Sequence, residues 1–394
     1  MSTRTTRVGP LATTPAPAPA LDVDALLDDP ATEIIVCCGS GGVGKTTTSA
    51  ALALRAAERG RKVVVLTIDP ARRLAQSMGI EALDNTPRPV TGIAAGTGSL
   101  DAMMLDMKRT FDEVVESQAS PEKAKAILEN PFYVALSSSF AGTQEYMAME
   151  KLGQLHRDAR AEGTYDLIVV DTPPSRSALD FLDAPERLSS FLDGKFIRLL
   201  LAPARGPAKL MGVGFSLMTK AVTKIIGATV LQDLQMFVTA FDTLFGGFRQ
   251  RAQQTFELLQ ADGTAFLVVA APEPDALREA AYFVERLSGE HMPLAGLVVN
   301  RASTKPASDL GADEAMAAAE RLRRRNSDAG ITPGLLHLHA DRVRIVEREQ
   351  LLRDRFTAAH PGVATAVVPA LPSDVHDLDG LRRVGDLLAG KSAR

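Results

Sequence analysis

Seven short runs of aliphatic and β-branched residues punctuate the chain: EIIVCC (33–38), KVVVLTID (62–69), DAMMLDM (101–107), YDLIVVD (165–171), TAFLVVAA (264–271), LAGLVVN (294–300) and ATAVVPAL (364–371). Apolar residues follow one another in these runs instead of alternating with polar ones, which is the pattern of strands covered on both faces of a parallel sheet. The segments between them carry helical periodicity suited to right-handed crossovers. The expected fold class is therefore α/β, with a mostly parallel, doubly wound sheet flanked by helices. Two intervals, about 108–164 and about 184–262, are too long for a single crossover and show helical periodicity without a clear strand. They are expected to form a helical subdomain beside the sheet.

The second interval has two apolar seams. Met211, Phe215, Met218, Val222 and Ile225 form one, and Leu231, Leu234, Val238, Phe241, Phe245 and Phe248 the other, with Leu217, Ile226, Met236, Phe237 and Leu244 lying off the seams. A helix apolar over more than one face either lies in a core or offers a surface to something apolar, and flexible methionines adapt to varied partners. Core and protomer interface is one reading, and a groove for a hydrophobic helix is the other. No apolar run is long enough to span a bilayer.

Composition narrows the class. The chain has 394 residues, a hydrophobic fraction of 45% and a net charge of −4, so it has ample material for a core and no basic field to hold nucleic acid. The local run RLRRRN (321–326) reads as the end of a solvated helix. Residues 1–30 begin MSTRTTRVGPLATTPAPAPA, without the apolar centre of a signal peptide, and are expected to be a disordered tail ahead of one domain over 31–394. The only two cysteines, Cys37 and Cys38, are adjacent and cannot build a disulfide framework or a zinc site. They point to a reducing compartment and a cytoplasmic location, with peripheral contact with a membrane left open.

Chemistry enters at VCCGSGGVGKTTTSA (36–50), a strand, a glycine-rich loop and a helix start in direct succession that fit the P-loop pattern G-x-x-x-x-G-K-S/T. Gly39, Gly41, Gly42 and Gly44 let the backbone aim its N–H groups inward, Lys45 reaches the β- and γ-phosphates, and the Thr46 hydroxyl is offered to Mg²⁺. The chain is thus expected to be a P-loop NTPase. Three further motifs fall at strand ends, where open α/β sheets place ligands. TIDPARRLAQSMG (67–79) presents Asp69. YDLIVVDTPPSR (165–176) ends an apolar run on Asp171, which approaches Mg²⁺ directly or through water. LVVNRAS (297–303) presents Asn300, whose amide could read an adenine edge; no aspartate follows at 303 as a guanine reader would need, which favours ATP.

These motifs, together with AGTQEYMAMEKL (141–152), DTPPSRSALDFLDAPERL (171–188), PEPDALREA (272–280) and VVPALPSDVHDLDGL (367–381), resemble the ArsA family of arsenite-pump and tail-anchored-protein-targeting ATPases, its actinobacterial members above all. The resemblance runs from about residue 30 to the end. It implies that Asp69 orients the attacking water, that 171–176 is a nucleotide switch, that Thr46 and Asp171 serve the metal, and that Gly41, Gly42, Val43, Gly44, Lys45, Thr46, Thr47, Asn300 and Pro369 surround the nucleotide. It also implies a dimer that closes around ATP. Two departures stand out. The family's first P-loop lysine, which reaches the partner's phosphates, is Ser40 here, with Arg72 or Arg73 as local substitutes. The interfacial cysteine pair of the eukaryotic targeting ATPases has no counterpart, so ATP and Mg²⁺ but no zinc are expected.

Three functions follow as expectations. The first is an ATP-driven handler of hydrophobic protein segments, paired with a related subunit that keeps the trans lysine. The second is an energising subunit for transport of an arsenite-like anion, weakened because that chemistry wants thiolates near the helical region. The third is a nucleotide-dependent regulatory switch, for which the terminal DLDGLRRVGDLLAG is a poor lipid anchor and a better last helix.

Overall fold

The computed structural model describes residues 18–69, 73–94, 98–131, 133–134, 137, 143–173, 247, 250–325 and 330–391. Eight strands form one sheet: β1 (Ile34–Cys38), β2 (Lys62–Thr67), β3 (Arg88–Pro89), β4 (Ser99–Met104), β5 (Leu167–Asp171), β6 (Thr264–Ala270), β7 (Leu294–Ala302) and β8 (Thr365–Pro369). Their spatial order is β3-β4-β2-β5-β1-β6-β7-β8. Every neighbouring pair is parallel except β3 with β4. All seven anticipated strands are present. The two-residue edge strand β3 was not anticipated, because Arg88–Pro89 carries no apolar run and is held by its neighbour alone.

The central strands are covered on both faces, as their unbroken apolar runs require. Ile34, Val36 and Cys38 join one core with Leu66, Val170, Phe266, Val268 and Phe283, and Ile35 and Cys37 join the other with Val65, Val169, Leu267 and Val269. Adjacent strand residues point to opposite faces, so one apolar sequence feeds two cores. The second core is capped by α2 (Lys45–Glu58), whose Ala50, Ala51, Ala53, Ala56 and Ala57 are all fully buried. Alanine brings this helix close to the sheet at little side-chain entropy cost. The first core receives α4 (Met107–Gln118), α6 (Thr143–Glu162) and α7 (Pro274–Gly289), with α3 (Arg73–Ser77) and α5 (Pro121–Leu128) between strands and helices as short connectors. The described part of 108–164 is mostly helical.

One expectation changes. Residues 18–30 are structured: Leu21 N–H donates to the Thr365 carbonyl at 3.2 Å, and α1 (Val23–Asp28) buries Val23 and Leu27. The ordered chain starts earlier than its composition suggests because this helix is only six residues long and Asp-rich. Charge holds it, since Arg55 of α2 donates to Asp24 at 2.6 and 2.9 Å and to Asp386 at 2.9 Å, which holds both carboxylates against α2. Residues 1–17 lie outside the described residues. So do nearly all of 184–249 and both apolar seams.

Beyond β7 the chain forms α8 (Ala312–Arg325) and the 28-residue α9 (Thr332–Ala359) before β8, and it closes with α10 (Leu378–Leu388) against α2. In α10, Leu381, Val384, Leu387 and Leu388 are buried, so the terminal segment is indeed a packed last helix.

Phe283 is fully buried on α7. Phe283→Ala is expected to cost ~3–5 kcal/mol in unfolding free energy, read as a lowered urea midpoint at unchanged slope.

Candidate active site

The site grows from the C-terminal edge of β1. This strand lies between β5 and β6; the chain passes from β1 to β2 on the β5 side, whereas β6 leads on to β7 on the other side, so the loop after β1 opens at the switch point where such sheets take ligands. The loop 39–44 has left-handed glycines at Gly42 (φ 77°) and Gly44 (φ 95°), and Gly44 is the N-cap of α2. A Cβ at Gly44 would run into the amide nitrogen of Asn300, so the position excludes any larger residue on two counts. The first N–H groups of α2 have no side-chain cap and stand ready for an anion.

Lys45 is buried, and its Nζ donates to the Ser40 carbonyl at 2.8 Å, folding across the mouth of its own loop. Burial pushes its pKa down and the Asp171 carboxylate partly restores it. Asp171, at the end of β5, is fully buried. Its Oδ2 accepts from Thr46 Oγ1 at 2.8 Å and from Thr67 Oγ1 at 2.9 Å. Its Oδ1 has no hydrogen-bond partner among the described residues. Burial raises its pKa to about 6, against the two hydroxyl donors and Lys45, which pull it down. A buried carboxylate with one oxygen lacking a donor and the other 2.8 Å from a threonine hydroxyl suits a hard cation with oxygen ligands. The donor set fits Mg²⁺, with Thr46 and Asp171 holding it directly or through water. Among the described residues no group of three or more His, Cys, Asp or Glu side chains is placed to hold a metal. A magnesium ion here would take its remaining ligands from phosphate and water.

Asp69 lies just past the end of β2, and the Ile68 N–H donates to the Asp171 carbonyl at 2.9 Å, tying that exit to β5. The P-loop, Asp171 and Asp69 thus follow one another along β1, β5 and β2. Pro369 ends β8, three strands from β1 on the other side, a separation of ~14 Å at ordinary strand spacing. Thr47 and Gly41 sit on the loop-helix junction. Arg72, Pro174 and the remainder of the 171–176 loop fall outside the described residues, as does the side chain of Arg73.

Asn300 is near the P-loop but engaged with it. Its Nδ2 donates to the Val43 carbonyl at 2.8 Å, and its Oδ1 accepts the Arg301 N–H at 3.0 Å. One N–H and one lone pair of the amide remain for a base. Arg301 has φ 60°, a left-handed backbone that an arginine seldom adopts. The register between β7 and β8 shifts at this place, so the two residues form a bulge that turns both side chains toward the loop. Arg301 donates to the Gly42 carbonyl at 3.0 Å. Asn300 and Arg301 together pin the carbonyls of Gly42 and Val43. Arg301 and Thr67 were not anticipated: a bulge has no sequence pattern, although a threonine closing the apolar run VVVLT was a visible signal.

Cys37 and Cys38 are both fully buried, one in each core, and burial raises both thiols, Cys37 to about 12. Neither is a thiolate at physiological pH.

A family model, ArsA_ATPase, described as anion-transporting ATPase, matches residues 32–324. The chain is 27% identical over 263 residues to the ATPase ASNA1 homolog of Cryptosporidium parvum, covering 67% of this chain and 63% of that protein. It is 31% identical over 157 residues to the arsenical pump-driving ATPase of Acidiphilium multivorum, covering 39% and 26%. It is 30% identical over 167 residues to the ATPase GET3 of Malassezia globosa, covering 42% and 46%. The matched part of the chain therefore spans less than two thirds of the length of each of these relatives.

Asp171 binds its proton more tightly in the folded chain than at its ordinary value of 3.8. Its contribution therefore favours folding at low pH and is lost as pH rises from about 4 to about 6, by ~3 kcal/mol in all. Asp171→Asn lacks this titration. Denaturant unfolding without nucleotide is expected to show the wild type losing stability relative to the variant over that window, with a constant difference above it. A difference independent of pH would show that the carboxylate is not desolvated.

Proposed function

The chain belongs to the ArsA family of ATPases, and on that premise we propose that it hydrolyses ATP with Mg²⁺ and uses the nucleotide cycle to handle a hydrophobic protein segment, working as a dimer with a related P-loop subunit in the cytoplasm. The observation that carries the first part is the Lys45–Thr46–Asp171 cluster at the mouth of a glycine loop. Bound Mg²⁺ would neutralise charge on the β- and γ-phosphates. Lys45 exchanges the Ser40 carbonyl for a phosphate oxygen, and the loop N–H groups with the α2 N-terminus hold the rest of the triphosphate. Thr67 and Thr46 keep the Asp171 carboxylate ionised and aimed at the cation. Asp69 accepts a hydrogen bond from the attacking water and fixes it in line with the γ-phosphorus.

The dimer proposal rests on Ser40. Its side chain carries no charge, and its carbonyl is occupied by Lys45. Cations supplied in trans to phosphoryl transfer are worth ~10³–10⁵ in rate. A subunit that retains lysine at the matching position would restore that charge in one of the two sites. Handling of a hydrophobic segment is carried by the resemblance and by the apolar seams of 211–248. The anion-transport reading is the weaker because both cysteines are buried protonated thiols, far from acting as soft ligands.

Asp69→Asn is expected to leave ATP affinity within about twofold while lowering single-turnover hydrolysis by ~10²-fold or more. Unchanged turnover would remove Asp69 from the reaction. Asn300→Ala separates two roles for the amide: a base reader loses ATP selectivity over GTP, whereas a loop clamp loses affinity for both alike, and equilibrium binding of the two nucleotides decides.

Purified alone, the chain is expected to bind ATP but turn it over slowly, and admixture of a related subunit carrying the loop lysine should raise the rate and give a one-to-one complex by light scattering. Full turnover by the chain alone, unaltered by Ser40→Lys, would end the heteromeric proposal.

A further inference from the structure

Helices α8 and α9 run antiparallel as an arm between β7 and β8. The two helices pack closely on each other, with Ala312, Ala315 and Ala340 buried among Leu310, Met316, Leu336 and Val343. The base is well fixed. Glu349 of α9 accepts from both the backbone N–H and the hydroxyl of Ser303 at 2.7 Å, and farther along α9 Phe356 is buried in the core under the sheet.

At the opposite end the described residues are exposed to solvent. All of Arg321–Arg325 is exposed, and so are the aliphatic side chains of Ile331 (78%), Leu335 (56%) and Leu338 (60%) at the start of α9. The end of α8 holds Arg321, Arg323, Arg324 and Arg325, of which Arg324 pairs with Glu320 at 3.6 Å, and from 321 to 340 the sequence has a single carboxylate, Asp328, whereas nearer the base Asp309 pairs with Lys305 and Asp313 with Arg344.

We propose that the tip of this arm docks on an anionic lipid bilayer. An exposed arginine cluster beside exposed isoleucine and leucine needs a partner that offers both negative charge and a place to bury aliphatic groups, and the headgroup region of an acidic leaflet offers both. A nucleic acid would satisfy the arginines and leave the aliphatics in water, and the tip has no Phe, Tyr or Trp on which a base could stack. Each arginine near an acidic leaflet contributes about fivefold in partitioning. The inference does not depend on the ATPase reading, since its binding partner is neither nucleotide nor metal.

Co-sedimentation of the full-length chain with sucrose-loaded vesicles tests it. Binding is expected with phosphatidylcholine containing about 30% phosphatidylserine, to fall as salt is raised, and to be absent on phosphatidylcholine alone. Ile331→Ser with Leu335→Ser, and separately Arg323→Gln with Arg325→Gln, should each reduce it by about tenfold or more. The replaced side chains are exposed, so far-ultraviolet circular dichroism and the melting temperature should be unaltered. Failure of the wild type to bind acidic vesicles overturns the proposal, and so does binding that neither pair of substitutions weakens. It is equally overturned if the tip variants lose affinity for a DNA duplex, or change the oligomeric mass by light scattering, with vesicle binding intact, because the surface then serves a nucleic acid or another protein chain.

Discussion

A single carboxylate, fully buried and only half satisfied, is the constraint around which the site is organised. Asp171 ends the central strand β5 with Oδ2 held by Thr46 and Thr67 and Oδ1 without a partner among the described residues. An aspartate left this way in an apolar sheet is costly, as its raised pKa records. The cost makes sense only if the side chain is meant to meet a positive group. Both hydroxyl donors come from other segments, one from the first turn of α2 and one from the last residue of β2. The arrangement thereby fixes the relative height of β1, β2 and β5 at their carboxyl ends, and these strands carry the P-loop, Asp69 and Asp171.

The other flank of the loop is held by backbone strain. At the β7 bulge Arg301 adopts a left-handed conformation that packing alone would not favour, and the Asn300 side chain accepts its N–H. In return Asn300 and Arg301 grip two successive loop carbonyls, and the glycine at 44 leaves room for the amide. Strain at one strand end is offset by order in the phosphate loop, a common trade where a site must be preformed. Three residues on, Ser303 grips Glu349 of α9. One strand exit therefore touches both the loop and the base of the arm, and any shift of β7 is shared between them.

The amino-acid sequence by itself determined the architecture and marked the residues of the proposed site. Seven of eight strands were legible because residues covered on both faces must be apolar at every position, a local property of the chain. Lys45, Thr46 and the loop glycines stand out as the proposed nucleotide loop because such a loop needs backbone N–H groups, a cation and a hydroxyl at set intervals along one segment. What only the tertiary structure decided lies where distant segments meet. That Thr67 stabilises Asp171, that Asn300 spends its amide on Val43, and that Arg301 reaches Gly42 depend on neighbours 104, 257 and 259 residues away in sequence. The short Asp-rich helix α1 was hidden for the same reason, since it is held by Arg55 of another helix and not by its own propensity. Periodicity records which side of an element is buried, but it carries no information about which polar groups share a junction, and this junction is where the chain places its chemistry.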